Sequence, residues 1–242
     1  MSDKSVLFVG THPDDIEIGC GGTIQVFRED GITSVGLIMT LGYEGEDIKR
    51  RDATLKSSEL LGYTPEFGAI PSQDLTDRLV EIAVAKLIEK YQPIAVFGHS
   101  DKDSHRSHKI VCDGTDSAAR YVRNRLHYVG PEGEYEFNPN VFYSFREELF
   151  KRIVKALELH RDAYGDARYF HEQYLSQKSW LGQRVLQYVQ RENAPYVVDH
   201  GDKQLPYAEG FEGRHIVNPI LNDSLFFDSD IRGLIKTVGG TE

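Results

Sequence analysis

Three short runs of continuous apolar residues constrain the fold of this chain more than any other feature. The runs are SVLFVG (5–10), SVGLIMTL (34–41) and IAVFGH (94–99), and a weaker one is EFGAI (66–70). Val, Ile, Leu and Phe in unbroken succession are typical of parallel strands that are covered on both faces. Helical patterns separate the runs, at about 20–30, 46–61 and 74–91. This alternation predicts an α/β fold with a doubly wound, mostly parallel sheet and right-handed crossovers.

The helical pattern at 74–91 has an apolar repeat and a capping signal. The residues that recur at helical spacing are Leu79, Ile82, Ala83 and Leu87. This repeat predicts one apolar face, and Asp74 is the expected N-cap.

The chain after residue 100 is expected to be more helical. Helical patterns occupy 104–126, 147–165 and about 169–192. Further strands are expected at 141–145 and 195–200, and a loop rich in Gly, Pro and Asn lies before the first of them. No segment has the composition of an interdomain linker, so we expect residues 1–242 to form a single domain.

The composition limits the class of protein. With 242 residues, 40% hydrophobic and 27% charged, the chain can bury the core of an ordinary globular domain. A net charge of −10 with dispersed basic residues argues against a nucleic-acid partner. The two cysteines form no CxxC pair, and no apolar stretch approaches the roughly 20 residues of a membrane span. We therefore expect a cytoplasmic protein that neither binds nucleic acid nor enters a membrane.

The densest polar clusters follow two of the predicted strands. HPDD (12–15) follows the first strand, and HSDKDSHRSH (99–108) begins where the run IAVFGH ends. In open α/β sheets, ligands bind at the carboxyl ends of the strands, where both clusters are expected. The two motifs therefore form one candidate site.

The stretch THPDDIEIGCGGT (11–23) admits three interpretations: a phosphate-binding loop, a metal site, or a turn whose Asp caps a helix. It lacks GxGxxG and GxxxxGK[ST], and its adjacent aspartates would repel phosphate, so the first interpretation is weak. His12 and Asp15 are three residues apart, face the same way within one turn, and offer donors that suit zinc. Asp14 would then lie beside the metal, where a general base is needed. An Asp that only caps the next helix is the alternative.

The second cluster offers the third ligand that a catalytic zinc requires. Its candidate donors are His99, Asp101, Asp103, His105 and His108. Because His105 and His108 are again three residues apart, one can bind metal while the other faces the substrate. Three histidines at the edge of the sheet that carries HPDD favour a functional site over unrelated surface histidines.

Together these motifs resemble the PIG-L/LmbE-like family of zinc-dependent N-deacetylases. The family pattern is (A/T)HPDD/E-x-x-x-G-x-GGT followed by H-x-x-x-D-x-H-x-D-H, which THPDDIEIGCGGT and HSDKDSHRSH largely match. RRDATLKSSELLGY (50–63) is similar to the family's Arg-bearing helix, KALELH (155–160) to its late helix ending in His, and YAEGF (207–211) to its YAEAF-like segment. The similarities span residues 5 to about 215, and the first motif is the most specific.

The resemblance implies a Rossmann-like, three-layer α/β/α fold and removal of an N-acetyl group from an N-acetylglucosamine-type amino sugar or its conjugate. It implies zinc as the cofactor, although Fe²⁺ or Co²⁺ suits the same donors. The expected partner is this small molecule, and a homo-oligomer is compatible with the sequence. The alternatives are an amidase acting on another N-acyl or thiol-conjugate amide, and a sugar- or nucleotide-binding module with weakened catalysis.

Residue by residue, the resemblance implies these roles. The implied zinc ligands are His12, Asp15 and His108. Asp14 is the implied general base, and His105 is the implied group that stabilises the oxyanion. The expected substrate-binding residues are Arg50, Asp103 and Tyr207. Tyr43 and Tyr128 are weaker candidates for stacking on a sugar, because a tyrosine at such a position is more often in the core or at the surface.

The chain departs from the family pattern at two positions. Ser107 stands where the family usually has an Asp that pairs with the catalytic His and favours its charged form. Asp101 or Asp103 is a candidate to compensate for that missing carboxylate, and the alternative is that His105 is a weaker electrophile in this chain. Ala53 stands where the family usually has Glu, which makes Arg51 a rival of its neighbour Arg50 for the substrate.

Overall fold

The computed structural model of the chain describes residues 4–41, 47–130, 133, 136–139, 141–164, 178, 197–198 and 207–216. Its strands are β1 (Ser5–Gly10), β2 (Thr33–Ile38), β3 (Thr64–Phe67), β4 (Ala95–His99), β5 (Asn124–Tyr128), β6 (Val141–Phe145), β7 (Val197–Val198) and β8 (Tyr207–Ile216). Its helices are α1 (Asp15–Glu29), α2 (Asp47–Leu61), α3 (Asp77–Tyr91), α4 (Arg106–Ala118) and α5 (Glu147–Tyr164), with a 3-10 turn at Ser72–Asp74. Within these residues no helix combines the length and the apolar character needed to span a membrane.

The described strands form one eight-stranded sheet in the order β3-β2-β1-β4-β5-β8-β6-β7. Strands β3, β2, β1, β4 and β5 are parallel neighbours, whereas β8 runs antiparallel to both β5 and β6. The chain builds outward from β1 to β3 and then crosses back to place β4 on the other side of β1. This reversal creates a crevice at the carboxyl ends of β1 and β4, where open α/β sheets bind their ligands.

Helices cover both faces of the sheet, which explains the unbroken apolar runs. One core cluster contains Phe8 and Phe97 together with residues of α1 and α5. The other contains Leu7 and Val96 together with residues of α3 and α4. Because consecutive strand residues point to opposite faces, β1 and β4 need an apolar residue at every buried position. The predicted α/β class, the three layers and the mostly parallel sheet are confirmed.

In the first hundred residues the predicted elements are present with small shifts at their ends. Helix α1 begins at Asp15, about five residues earlier than expected. Helix α3 is capped by the Thr76 hydroxyl and not by Asp74. The residues of α3 that are buried are Val80, Val84 and Leu87, whereas Leu79 and Ile82 are 40% and 39% exposed. Two apolar stripes run along this helix, and spacing alone does not decide which of them faces the sheet.

The helix predicted at 104–126 is wrong in its second half. Helix α4 ends at Ala118, and the parallel strand β5 follows it. The sequence of β5, NRLHY, is polar because Asn124 and Arg125 donate side-chain hydrogen bonds to the carbonyls of Ile94 and Asp116. A strand that uses polar side chains to bind neighbouring backbone lacks the apolar run by which the other parallel strands are found.

The other expectations for the second half have mixed outcomes. Strand β6 and helix α5 match the segments predicted at 141–145 and 147–165. Strand β7 lies within the segment predicted at 195–200. Strand β8 was not predicted, although its first residues are the YAEGF segment. The helix predicted at 169–192 lies outside the described residues, apart from Lys178.

The glycines of α1 allow this helix to lie unusually close to the sheet. A Cβ added at Gly19 would come within 2.2 Å of the Tyr128 ring, and one at Gly22 within 2.2 Å of the Phe145 ring. At the same place the carboxylate of Glu209, in β8, accepts the N–H groups of Gly22 and Thr23 at 2.8 Å each. The GCGGT segment therefore packs the helix, and its glycines bind no phosphate.

Replacing Gly22 by Ala should destabilise the protein. Alanine favours a helix by about 1 kcal/mol over glycine, but a Cβ inside the Phe145 ring forces repacking that costs about 1–3 kcal/mol. We expect a net fall in the free energy of unfolding, measured by urea denaturation. Gly130→Ala is the control, because its added Cβ would meet only Ile18 Cγ2 at 4.0 Å. A Gly22→Ala protein as stable as the wild type would contradict this account of the packing.

Candidate metal centre

The carboxylate of Asp15 fixes the loop between β1 and α1. Its Oδ2 atom accepts hydrogen bonds from the backbone N–H groups of Thr11, at 2.9 Å, and His12, at 2.7 Å. The Nε2 atom of His99, the last residue of β4, lies 3.2 Å from the same oxygen. Asp15 also opens α1, whose N-terminus favours a negative charge. The carboxylate is thus held where the carboxyl ends of β1 and β4 meet.

Three donor atoms from the two motifs lie at nearly equal distances from one another. Nε2 of His108 is 3.3 Å from Nδ1 of His12 and 3.4 Å from Oδ2 of Asp15, and the latter two atoms are 3.5 Å apart. Ligand atoms about 2.1 Å from a tetrahedral metal ion lie roughly 3.4 Å apart, so this triangle has the size that one zinc-like ion requires. The structure brings together all three residues that the sequence proposes as ligands, which we call the metal-ligand triangle.

A buried carboxylate fixes the ring of His108. Nδ1 of His108 lies 3.0 Å from Oδ2 of Asp103, whose other oxygen accepts the backbone N–H of His105 at 2.8 Å. A carboxylate at Nδ1 holds a proton there and leaves the Nε2 lone pair for a metal. Asp103 is fully buried, and a direct role in substrate binding stays a prediction. Its carboxylate orients a ligand candidate.

The charges around the triangle favour a cation. Burial lowers the pKa of the His108 imidazole, but the carboxylates of Asp15 and Asp103 outweigh this effect and raise that pKa to about 9. Burial raises the pKa of Asp15, but His108 and His99 hold it well below its ordinary value. The carboxylates therefore stabilise positive charge at this point, as a divalent metal site must.

Asp14 stands beside the triangle in a strained backbone conformation. Its φ angle is +102°, in a region that residues with a side chain seldom adopt. Its side chain makes no capping hydrogen bond to α1, so Asp14 does not act as a helix cap. The buried carboxylate is close enough to His108 and His160 to act electrostatically on both imidazoles. Strain of this kind is concentrated at functional sites.

His105 and Ser107 form a pair at the exposed edge of the site. The Ser107 hydroxyl lies 2.7 Å from Nδ1 of His105 and 3.5 Å from Nε2 of His12. The His105 ring centroid lies 5.1 Å from that of His12 and 4.5 Å from that of His108. His105 therefore borders the triangle, with a hydroxyl at the position where the family resemblance leads us to expect a carboxylate.

Both carboxylates proposed to compensate for Ser107 have other partners. Asp103 binds His108. Asp101 pairs with Lys102 at 3.3 Å and with Arg214 of β8. Compensation at the His105 ring by either aspartate stays a prediction.

The two neighbouring arginines of α2 differ in what they contact. Nη1 of Arg50 donates to the carbonyl of Leu41 at 3.0 Å, just beyond the carboxyl end of β2. The guanidinium of Arg51 lies instead over the Phe67 ring, 4.5 Å from its centroid. Ala53 is buried. Arg50 is therefore the arginine at the edge of the sheet that carries the site.

The candidate tyrosines have structural contacts. Tyr207 is partly buried, stacks on Phe150 with centroids 4.1 Å apart and packs against the core beside α5, and its role in substrate binding stays a prediction. Tyr128 is buried and donates to the carbonyl of Val9 at 2.8 Å. Tyr43 lies outside the described residues.

His99 is part of the site, although the sequence assigned it no specific role. It is buried, its ring stacks on His108 with centroids 3.9 Å apart, and its Nε2 contacts Asp15. Burial lowers its pKa to about 4, so the imidazole is neutral. The signal that could have revealed it is its place as the last residue of a buried strand, next to the crevice.

Two further groups of described side chains contain the donor types of a metal site. They are His99–Asp103–His108 and Cys112–Asp116–His127. In the first group, the hydrogen bond from His108 to Asp103 already uses the facing atoms. In the second, Nε of Arg214 donates to Nδ1 of His127 at 3.2 Å, and burial raises the pKa of the Cys112 thiol. A guanidinium and a protonated thiol disfavour a cation, so the metal-ligand triangle is the better site.

Comparisons with known proteins agree with this site. The family model described as "PIG-L: GlcNAc-PI de-N-acetylase" matches residues 7–119, which include HPDD and the whole of HSDKDSHRSH. The uncharacterised deacetylase YaiS of Escherichia coli (strain K12) is 29% identical over 168 residues, which are 65% of this chain and 91% of that protein.

Two other similarities are more distant. Diacetylchitobiose deacetylase of Thermococcus kodakarensis is 36% identical over 69 residues, or 24% of this chain and 26% of that enzyme. The crystal structure of the conserved protein TT1542 from Thermus thermophilus superposes with a TM-score of 0.72 at 20% identity, over 90% of this chain and 96% of that one. Residues 7–119 therefore match the PIG-L family model, and the chain is similar to proteins named as deacetylases.

Proposed function

We propose that this protein is a metal-dependent hydrolase that removes the N-acetyl group from an N-acetylglucosamine-type amino sugar or its conjugate. The observation that carries the proposal is the triangle of His12, Asp15 and His108 with the strained carboxylate of Asp14 beside it. The family description and the name of the Thermococcus relative both refer to acetylated amino sugars, which supports this substrate class.

His12, Asp15 and His108 would hold zinc, or Fe²⁺ or Co²⁺, through two nitrogens and one oxygen. Such an ion supplies a Lewis acid for the amide carbonyl and lowers the pKa of water to about 7. Three protein ligands beside a half-buried surface suit a catalytic site better than a closed structural one. Asp103 supports the ligand set by holding the tautomer of His108.

Asp14 serves as the general base. It accepts a proton as water adds to the acetamide carbonyl, and it returns that proton to the nitrogen when the C–N bond breaks. The products are acetate and the free amine. The carboxylate is suited to this work because it is buried, makes no capping bond to α1 and is held in a fixed, strained turn.

His105 donates to the oxyanion that forms on the acetamide carbonyl. Its Nδ1 is bound to the Ser107 hydroxyl, and we assign the donation to substrate to its Nε2 atom. A hydroxyl carries no charge, and it therefore favours the imidazolium less than a carboxylate would. Arg50 binds a polar group of the substrate from the neighbouring strand end.

The substrate is tested by measuring acetate release from N-acetylglucosamine, diacetylchitobiose and an acetylated thiol conjugate of an amino sugar. Acetate release from any of the three supports the proposal. Cleavage of a thiol-conjugate amide whose acyl group is not acetyl, detected as free amine without acetate, would favour the amidase alternative. Zinc and sugar binding without hydrolysis of any compound would favour a binding module that has lost activity. The replacement of the family's Asp by Ser107 is the feature that suggests this outcome.

Metal content should depend on His108 and not on His127. We expect about one zinc ion per chain by elemental analysis, and loss of that ion together with acetate release in His108→Ala. His127→Ala is the matched control, because His127 is also buried and contacts a carboxylate, that of Asp116 at 2.8 Å. Loss of zinc in His127→Ala alone would indicate that the metal binds the Cys112–Asp116–His127 group instead.

Asp14→Asn should retain zinc and lose activity. The amide keeps the size of the side chain but cannot accept the proton, so kcat should fall by about 10²–10⁴-fold. The measurement is acetate release at saturating substrate, with zinc content determined on the same sample. Asp113→Asn, an exposed carboxylate on α4, should match the wild type. Unchanged turnover in Asp14→Asn would remove Asp14 from this role.

Ser107→Asp should raise the deacetylation rate several-fold. The hydroxyl of Ser107 lies 2.7 Å from Nδ1 of His105, and a carboxylate introduced at this position would stabilise the imidazolium that donates to the oxyanion. Ser107→Ala, which removes the hydrogen bond, should lower the rate. The measurement is kcat for each variant on the best substrate of the panel. A lower rate in Ser107→Asp would mean that the site is built around the hydroxyl.

A further inference from the structure

Three sequence motifs meet at one buried carboxylate that has no part in the proposed chemistry. Oε1 of Glu17, in α1, accepts hydrogen bonds from the Tyr63 hydroxyl at 2.8 Å and from the Ser57 hydroxyl. Nε2 of His160, in α5, lies 3.1 Å from the same oxygen and 3.0 Å from the Ser57 hydroxyl. Glu17 comes from THPDDIEIGCGGT, Ser57 and Tyr63 from RRDATLKSSELLGY, and His160 from KALELH. We call these four residues the Glu17 cluster.

The Glu17 cluster is not explained by stability alone. Glu17 is 1% exposed, and Ser57 and His160 are 0% exposed. Burial opposes charge on both members of the pair, but His160 lowers the pKa of Glu17, and Glu17 in turn raises that of His160. Well-packed apolar side chains often replace a buried ion pair with no loss of stability. A functional role explains the Glu17–His160 pair better than stability does.

The cluster lies directly behind the general base. Glu17 lies in the first turn of α1, three residues after Asp14, and the Asp14 carboxylate is close enough to act electrostatically on His160 and Tyr63 of the cluster. The carbonyl of Asp14 accepts the N–H of Ile18 at 2.9 Å, so the strained residue and the helix are one rigid unit. A φ of +102° at Asp14 persists only if the surroundings enforce it. The hydrogen bonds of Glu17 supply such a constraint, because they tie this turn to α2 and α5.

We propose that His160 is a positioning residue that acts through Glu17 to hold the Asp14 turn in its catalytic conformation. The proposal rests on the proposed function, in which Asp14 is the base. His160 touches neither the ligand candidates nor, in this proposal, the substrate. Its effect should therefore appear in kcat and in the rigidity of the turn, and not in zinc content or KM.

Three variants test this role. His160→Leu removes the donor to Glu17, and His160→Gln keeps an N–H donor there. Ile153→Ala disturbs the same helix, since Ile153 lies against Gly21 of α1 and has no polar group that could hydrogen-bond to Glu17. We expect kcat of His160→Leu to fall about 10–100-fold, as for other residues that orient a catalytic group, with KM and zinc content near those of the wild type. His160→Gln should recover most of the loss. Each variant is assayed at the same interval below its own melting temperature.

Hydrogen exchange of the fragment 11–20 gives a measurement that does not depend on activity. It should accelerate in His160→Leu and stay near the wild type in Ile153→Ala. If His160→Leu does not fold, Tyr63→Phe removes a single donor to Glu17 and should give a smaller change of the same kind. Wild-type exchange and kcat in a folded His160→Leu or Tyr63→Phe, or an equal loss in Ile153→Ala, would overturn the proposal. A wild type without acetate release would overturn the proposed function, while faster exchange would still support the role of His160 in holding the turn.

Discussion

A single oxygen atom, Oδ2 of Asp15, joins the two loops that make the site. It accepts backbone N–H groups from Thr11 and His12 and lies within 3.5 Å of three imidazole nitrogens, those of His12, His99 and His108. A buried carboxylate without such partners would be strongly destabilising. The loop after β1 and the loop after β4 are therefore held together by one charge, and the spacing of the metal-ligand triangle follows from the contacts that this charge makes.

The sequence could predict those parts of the site that depend on local spacing. His12 and Asp15 share one turn, and that turn follows a recognisable buried strand. Spacing alone could not decide whether His105 or His108 binds the metal, because the two residues are three apart and would share one face of a helix. The structure separates them by long-range and backbone effects: His105 stands at the N-cap with extended backbone, whereas His108 lies in the first turn against Asp103. His99 received no specific role because its value lies in a contact across 84 residues of chain.

The fold was predictable where strands are buried on both faces and less so where the sheet turns antiparallel. Strands β1, β2 and β4 carry continuous apolar runs, since each packs under helices on two sides. Strand β8 alternates and contains Gly, Glu and Arg, because Glu209 enters the core to bind α1 and Arg214 reaches the loop after β4. The contact of Thr23 with Glu209 joins residues 186 apart in sequence, and no local pattern announces it.

Helix α1 begins with a ligand candidate, Asp15, directly after the proposed base, and it is held at two places by buried polar groups. Its first turn is tied through Glu17 to α2 and α5, and its middle is bound by Glu209, beside which Lys178 lies at 3.4 Å. Close packing at Gly19 and Gly22 leaves the helix little freedom to slide between these points. A reacting group must be held within a few tenths of an ångström of its productive position, and rigid elements do this better than loops. The glycines and the buried charges of α1 are thus consistent with one requirement, a first turn that does not move.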